Sequence, residues 1–243
     1  DTFQMERDRG ITIFSKQAVM EYKDMRLVLL DTPGHVDFSA EMERTLSVLD
    51  YAVLVVSGSE GVQGHTETLW KLLDKYQVPT FIFVNKMDMP NVSGDFLLHE
   101  LKDKFGDEIV RFPVGVGTYE DIAMCNEDLL EDYMNGVEFT DTTISELVCN
   151  RELFPCYFGS ALQLDGIEQL MEGLYSYTYE PIYNESFGAK IYKITKDNNN
   201  NRLTHMKITG GSLKVKDPLT GQNGAKEWSE KVNEIRVYSG EKY

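Results

Sequence analysis

The sequence is poor in cysteine, in positive charge and in long apolar stretches. Its three cysteines, Cys125, Cys149 and Cys156, contain no C-x-x-C pair, which is typical of a reduced, cytoplasmic protein rather than a disulfide framework. No apolar run approaches the roughly 18 residues that a membrane helix needs, so no membrane partner is expected. Lysine and arginine total 24 against 40 acidic residues, and the net charge of −16 argues against DNA or other broad nucleic-acid binding.

What the chain does have is a set of short apolar runs, "LVLLD" (27–31), "AVLVVS" (52–57) and "TFIFVNK" (80–86). Each is too continuous for a half-exposed strand and too short for a helix, so each predicts a buried parallel strand. A further strand is predicted in "LFPCYFGSA" (153–161). Upstream of the first run, the pattern predicts a hairpin that turns at 22–25 and adds one antiparallel strand.

The segments between these runs have helical periodicity, as in "DFSAEMERTLSVLD", "TETLWKLLDKY" and "GIEQLMEGLYSY". The alternation of strand and helix predicts an α/β fold with a doubly wound, mostly parallel sheet. We expect this domain to span 1–181, with an irregular acidic insertion at about 107–150. Alternating apolar and polar residues then predict antiparallel strands over 186–243, which form part of a β-barrel domain.

Three motifs follow predicted parallel strands: D-T-P-G-H from Asp31, N-K-M-D from Asn85 and G-S-A from Gly159. Ligands of open α/β sheets bind at the carboxyl ends of the strands, so these motifs are expected to share one site. Each motif alone is a weak signal, since any of them could be an ordinary turn. Their order and their common placement indicate guanine-nucleotide chemistry.

The second and third motifs fit the guanine base. Asp88 can accept hydrogen bonds from guanine N1–H and the exocyclic amine, a donor pair that adenine lacks. Asn85 would brace the loop and reach the purine, and the aliphatic part of Lys86 can lie over the base. Ser160 and Ala161 would present a backbone N–H to guanine O6.

The first motif fits the γ-phosphate and its Mg²⁺. Asp31 would hold Mg²⁺ through a water molecule, and Gly34 would let the backbone approach the phosphate and donate its N–H. His35 would orient the attacking water, which makes it the candidate catalytic residue. Thr12 in "RDRGITI" can offer its hydroxyl to Mg²⁺ and its N–H to the γ-phosphate.

Two other classes of protein remain as alternatives. A non-catalytic module that binds only protein partners would have no reason to carry Asp31, Gly34, His35, Asn85 and Asp88 together. An ATP-using metabolic enzyme on the same sheet is disfavoured by Asp88, since a carboxylate at this position rejects adenine.

The motifs "ERDRGITI", "DTPGHVDF", "SGSEGVQGHTETLW", "NKMD" and "GSA" together resemble the translational GTPases, in particular the elongation factor G branch. "LSVLDYAVLVVSGSEGVQ", "NEDLLEDYMNG" and "LFPCYFGSALQLDGIEQL" are most similar to the tetracycline-resistance ribosomal protection proteins of that branch. Elongation factor G or a release-factor-recycling GTPase is the alternative. The resemblance implies a GTP-binding (G) domain, a β-barrel domain, GTP/GDP and Mg²⁺ as cofactors, and the ribosome as partner, with hydrolysis of GTP on it.

One family feature is missing, because the phosphate loop G-x-x-x-x-G-K-[ST] does not occur in the chain. The family has this loop upstream of the region where the chain starts, and it has further domains that contact the ribosome downstream. We therefore expect a piece of a longer GTPase, which by itself binds GTP weakly and does not hydrolyse it. A degenerate homologue that has lost the loop is the alternative.

Overall fold

A computed structural model describes residues 16–34, 39–115, 117–197, 199–223 and 226–237. These residues divide into two compact units. One unit contains the chain up to Pro33, Ala40–Val48 and the chain from Pro181 onward, and the other contains Gly34, Ser39 and Leu49–Glu180. The domain boundaries expected from the sequence stay a prediction.

Ten strands occur in the described residues: β1 (Lys16–Tyr22), β2 (Met25–Asp31), β3 (Ala52–Ser57), β4 (Thr80–Asn85), β5 (Ile109–Arg111), β6 (Phe154–Phe158), β7 (Gly188–Lys196), β8 (Arg202–Gly210), β9 (Pro218–Asn223) and β10 (Lys226–Lys231). Seven helices occur with them: α1 (Ser39–Leu46), α2 (Gly64–Lys75), α3 (Gly94–Phe105), α4 (Thr118–Ala123), α5 (Glu127–Met134), α6 (Asp141–Cys149) and α7 (Ile167–Tyr177).

The second unit is built on a four-stranded parallel sheet with the strand order β3-β4-β6-β5. The strand β4 is its centre, and Thr80, Phe81, Ile82, Phe83 and Val84 are all buried. A continuous apolar run suits a strand whose two faces are both covered, as the helices between the strands allow here. The predicted parallel α/β sheet is therefore confirmed for β3, β4 and β6.

The strand β3 lies at an edge of this sheet within the described residues. Its Leu54 and Val56 are buried, whereas the side chain of Val55 is 58% exposed. The prediction of a wholly buried strand is therefore wrong for one side of β3. Leu54 and Val56 of β3 therefore contribute to the core, whereas Val55 faces solvent.

The run at 27–31 does not form a buried parallel strand. It belongs to β2, which pairs antiparallel with β1 in a separate two-stranded sheet, and Val28 and Leu29 are 55% and 52% exposed. The predicted hairpin is confirmed, because Tyr22 pairs with Met25 across its turn. Pairing with β1 satisfies the backbone hydrogen-bonding groups along one edge of β2. The apolar sequence of β2 was not sufficient to place it in the parallel sheet.

The stretch 107–150, expected to be irregular, contains regular elements in the described residues. The strand β5 pairs with β6, and Ile109 and Val110 are fully buried. The helices α4 and α6 also contribute to the core, through Ile122 and Val148. A three-residue strand is too short to give a periodicity signal, so only its pairing partner identifies it.

The chain beyond Pro181 forms two antiparallel hairpins, β7–β8 and β9–β10, as the alternating pattern predicts for part of a barrel. The turn between β7 and β8 is closed by Asp197, whose side chain accepts hydrogen bonds from the backbone N–H groups of Asn199 and Asn201 at 2.9 and 2.8 Å. The asparagine-rich turn is thereby explained as a local Asx structure. Across the described residues, every helix is too short or too polar to cross a membrane.

Gly173 on α7 gives a test of the packing between α7 and β6. A Cβ at this position would overlap the hydroxyl oxygen of Tyr157, which is buried. Overpacking costs about 1–3 kcal/mol, and this contact is too close to be relieved by small shifts. We expect Gly173→Ala to lower the free energy of unfolding by about 1 kcal/mol, which is the overpacking cost less the roughly 1 kcal/mol by which alanine favours a helix over glycine.

Urea unfolding would measure the change. Gly64→Ala is the matched control, because a Cβ on Gly64 in the first turn of α2 would meet no atom within 4 Å. A Gly173→Ala variant as stable as the wild type would contradict the packing described for α7.

Candidate functional site: three loops at the carboxyl ends of β3, β4 and β6

The strands β3, β4 and β6 are parallel neighbours, so the loops that follow them emerge at the same edge of the sheet. These loops begin at Gly58, Lys86 and Gly159. The last two contain the N-K-M-D and G-S-A motifs. The parallel topology therefore brings together two motifs that are far apart along the chain.

Backbone hydrogen bonds join the three loops directly. The N–H of Met87 donates to the carbonyl of Gly159 at 3.0 Å, and the N–H of Gly159 donates to that of Val84 at 3.0 Å. The N–H of Gly58 donates to the carbonyl of Asn85 at 2.7 Å. A Cβ on Gly58 would lie 3.0 Å from this same oxygen, so the close approach of the first loop favours glycine.

The side chain of Asn85 links the two motifs. Its Oδ1 accepts hydrogen bonds from the backbone N–H of Lys86 at 2.8 Å and from that of Ala161 at 2.9 Å. Lys86 has a φ of +65°, a left-handed conformation that is uncommon for a residue with a side chain. Such conformations persist where the surroundings hold them, and they are concentrated at functional sites.

The G-S-A turn is closed by Asp165, a residue that the sequence analysis did not identify. Ser160 and Asp165 exchange two backbone hydrogen bonds, each of 3.0 Å, and Ser160 is 2% exposed. A Cβ on Gly159 would overlap the carbonyl oxygen of Asp165, so this turn admits only glycine there. The following Gly166 has a φ of +74°, and the Asp-Gly pair was the sequence signal that could have identified the closure.

The residues predicted to contact the guanine base differ in their exposure to solvent. Lys86, Asp88 and Ala161 are exposed, whereas Asn85 is half-buried and Ser160 is buried. The exposed groups can therefore reach a ligand, and the less exposed groups shape the turns that present them. Their contacts with guanine stay predictions.

A small cavity of about 160 Å³ adjoins the Asn85 loop, between the ends of β3 and β4. Its lining includes Ser57, Glu60, His65 and Lys86 as polar groups. This volume is below the roughly 300–1,000 Å³ of a pocket that encloses a whole small ligand, so the cavity suits only a part of one. Roles for Ser57, Glu60 and His65 were not predicted from the sequence, although a polar turn after an apolar strand was the available signal.

The residues predicted to act on the γ-phosphate side are only partly described. Asp31 ends β2 in the first unit and is exposed, and Gly34 is exposed as well. A Cβ on Gly34 would meet no atom within 4 Å. Thr12 and His35 lie outside the described residues.

No cluster of three or more His, Cys, Asp or Glu side chains that could hold a metal ion occurs in the part of the chain that the structure describes. Mg²⁺ retains several waters and is commonly held by one or two carboxylates together with ligand phosphates. A single exposed carboxylate such as Asp31 is compatible with that mode of binding.

All three cysteines are free thiols, as expected from their spacing. Burial raises the pKa of Cys125 to about 12 and also raises that of Cys156. Both thiols are therefore protonated at neutral pH. Neither is a candidate nucleophile, because the thiolate is the reactive form.

A parallel α/β sheet with N-K-x-D and G-S-A loops joined at its carboxyl edge defines a guanine-nucleotide-binding domain. The model of the family described as the elongation factor Tu GTP binding domain matches residues 1–180. The chain belongs to this family.

The relatives include tetracycline resistance proteins and elongation factor G. The chain is 34% identical over 238 residues to the tetracycline resistance protein TetO of Streptococcus mutans, covering 90% of this chain and 37% of TetO. It is 32% identical over 262 residues to TetP of Clostridium perfringens, covering 97% of this chain and 40% of TetP. It is 28% identical over 283 residues to elongation factor G of Ureaplasma parvum serovar 3, covering 88% and 41%.

A solved structure from Thermus thermophilus has the same fold, with a TM-score of 0.82 and 22% sequence identity. It covers 99% of this chain, and the chain covers 43% of it. The chain therefore spans less than half the length of these proteins that it matches.

Removal of the Asn85 side chain should weaken the link between the two motifs. We expect Asn85→Ala to lower the free energy of unfolding by about 1–3 kcal/mol, because two backbone N–H groups lose their acceptor. The hydrogen-exchange rate of the Ala161 amide should increase in the same variant. Asn85→Asp retains an acceptor oxygen and should keep the Ala161 amide protected.

Urea unfolding and amide exchange of the chain would check both variants. Asn135→Ala, at an exposed position after α5, is the control and should change stability by less than about 0.5 kcal/mol. An Ala161 amide that is equally protected in Asn85→Ala would contradict the linking role of Asn85.

Proposed function

We propose that this chain is the G domain and part of the β-barrel domain of a GTPase that acts on the ribosome, most similar to the tetracycline-resistance ribosomal protection proteins. The observation that carries the proposal is the Asn85 side chain, which joins the N-K-M-D and G-S-A loops into one surface. The higher identity to TetO and TetP than to elongation factor G favours this reading over elongation factor G.

Guanine selection is assigned to the loops after β4 and β6. The Asp88 carboxylate accepts the two donors on the Watson–Crick edge of guanine, and its exposure leaves it accessible to the base. The aliphatic part of Lys86 covers one face of the base. The backbone N–H groups of the G-S-A turn face O6, and Asn85 holds that turn at the correct distance.

The reaction is assigned to the residues that follow β2. Asp31, through a water molecule, and the Thr12 hydroxyl would hold Mg²⁺, and the Gly34 N–H would donate to the γ-phosphate. A bound Mg²⁺ would neutralise the charge that develops on the phosphate oxygens. His35 orients the water that attacks the γ-phosphorus.

The ribosome is the proposed partner of the complete protein. With a net charge of −16, this chain is poorly suited to broad contact with RNA. We therefore assign to it a contact with ribosomal RNA only at the γ-phosphate side near His35, and we assign the basic contacts to other parts of the protein. No DNA or membrane partner is proposed.

The base preference tests the guanine assignment. In the complete gene product, we expect Asp88→Asn to shift the preference from guanine towards xanthine nucleotides, because xanthine presents an acceptor where guanine presents the amine. GTP binding should weaken by about 2–4 kcal/mol, since a charge-assisted hydrogen-bond pair is lost. Competition binding with GTP and XTP would measure the shift.

Asp107→Asn is the control for the loss of one negative charge at an exposed position of the same unit. It should bind GTP as the wild type does. An Asp88→Asn variant with an unchanged GTP preference would overturn the assignment of the guanine site.

Hydrolysis should depend on His35 much more than binding does. A residue that positions water acts in the transition state, so we expect His35→Ala to lower ribosome-stimulated turnover by about 10²-fold or more and to leave GTP affinity nearly unchanged. Single-turnover hydrolysis and nucleotide titration of the complete gene product would separate the two quantities. His99→Ala, an exposed histidine on α3, is the control. Equal losses of rate and affinity would indicate a structural histidine instead.

A further inference from the structure

The helix α1 and the hairpin β7–β8 are linked by an ion pair with little exposure. Oε1 of Glu41 lies 2.9 Å from Nζ of Lys193, and the two side chains are 16% and 12% exposed. Glu41 is in the first turn of α1, and Lys193 is in the middle of β7. Both elements belong to the same unit of the structure, although about 150 residues of sequence, on the order of one domain, separate them.

A second lysine of the hairpin holds the other end of the helix. Nζ of Lys207 on β8 donates a hydrogen bond of 2.9 Å to the carbonyl of Val48, just after α1 ends at Leu46. A cation at a helix C-terminus also interacts favourably with the helix dipole. The hairpin therefore contacts α1 at its first turn and at its end.

Several titratable groups of the described residues lie near the ion pair. The guanidinium of Arg44 lies 3.7 Å from Oε2 of Glu41, but its side chain is 62% exposed. Burial raises the pKa of Tyr192 and lowers that of His205, so both side chains are neutral at pH 7. His205 contacts Thr195 at 2.8 Å. Lys193 is a little-exposed cation of the hairpin that faces Glu41.

The free-energy balance of such an ion pair favours a role in positioning the helix and the hairpin. A buried ion pair contributes little net stability in comparison with well-packed apolar side chains, because both charges lose their hydration. Loss of one partner is costly, since the other charge stays buried and uncompensated. The pair therefore favours one arrangement of helix and hairpin over alternatives.

We propose that Lys193 and Lys207 are positioning residues, through which the β7–β8 hairpin fixes α1 and, by chain connection, the γ-phosphate side of the nucleotide site. The helix begins only a few residues after Asp31 and Gly34, the described residues of that side. Nucleotide hydrolysis then depends on the antiparallel part of the chain, whereas guanine binding by the β4 and β6 loops does not. This inference rests on the proposed function.

The physical part of the inference can be tested in the chain itself by amide hydrogen exchange. We expect Lys193→Met to raise the exchange rate of residues 42–48 by about tenfold or more, and Lys207→Met to do so mainly at 46–48. The charge-swapped pair Glu41→Lys with Lys193→Glu should restore protection to within about threefold of the wild type. Lys196→Met, an exposed lysine on the same strand, should change nothing.

Wild-type exchange of residues 42–48 in both single variants would overturn the inference. An equal increase in the amide exchange rates of β3, β4 and β6 would also overturn the inference, because such an increase would show a general loss of stability. If Lys193→Met does not fold, Lys207→Met and the charge-swapped pair decide the same question.

The functional part needs the complete gene product. We expect Lys193→Met to lower ribosome-stimulated GTP turnover by about tenfold while GDP affinity changes by less than about twofold, and the charge-swapped pair to recover turnover. Raised exchange with unchanged turnover would overturn the positioning role. A wild-type protein without any GTP hydrolysis would overturn the proposed function instead, and the exchange experiment would still decide whether the hairpin fixes α1.

Discussion

One amide oxygen, Oδ1 of Asn85, joins two loops that lie 76 positions apart in the sequence. It can do so only because β4 and β6 are adjacent parallel strands whose carboxyl ends meet at one edge. The loops that it joins also contain a left-handed Lys86 and a turn that admits only glycine at Gly159. The parts of the site that would select a base therefore depend on a single side chain and on the register of two strands.

The apolar segments of the chain are not all buried. The strand β4 is buried on both faces, whereas β2, with an equally apolar sequence, pairs only with β1 and leaves Val28 and Leu29 more than half exposed. Whether a strand is buried depends on which elements cover its two faces. An apolar composition shows only that burial would be favourable. The antiparallel part of the chain also makes polar contacts, because two of its lysines bind Glu41 of α1 and the carbonyl of Val48 just after it.

The local sequence was sufficient for most of the individual elements. The parallel strands β3, β4 and β6, the helices α2 and α7, the hairpin turn at 22–25 and the alternating strands β7 and β8 were all predicted. Periodicity and turn residues act over a few neighbouring positions, so they can be read without knowledge of the fold. The short strand β5 was not predicted, because three residues give no period and only its pairing with β6 identifies it.

The sequence by itself determined which residue types stand at the ends of the strands, and hence the family of the chain and the candidate residues Asn85, Lys86, Asp88, Ser160 and Ala161. Only the tertiary structure decided how they are held, because the contact of Asn85 with Ala161 joins residues 76 positions apart and depends on the pairing of β4 with β6. The same holds for Glu41 and Lys193, whose pairing no local pattern specifies. Long-range contacts depend on the three-dimensional arrangement of strands and helices, and a one-dimensional pattern contains that arrangement only indirectly.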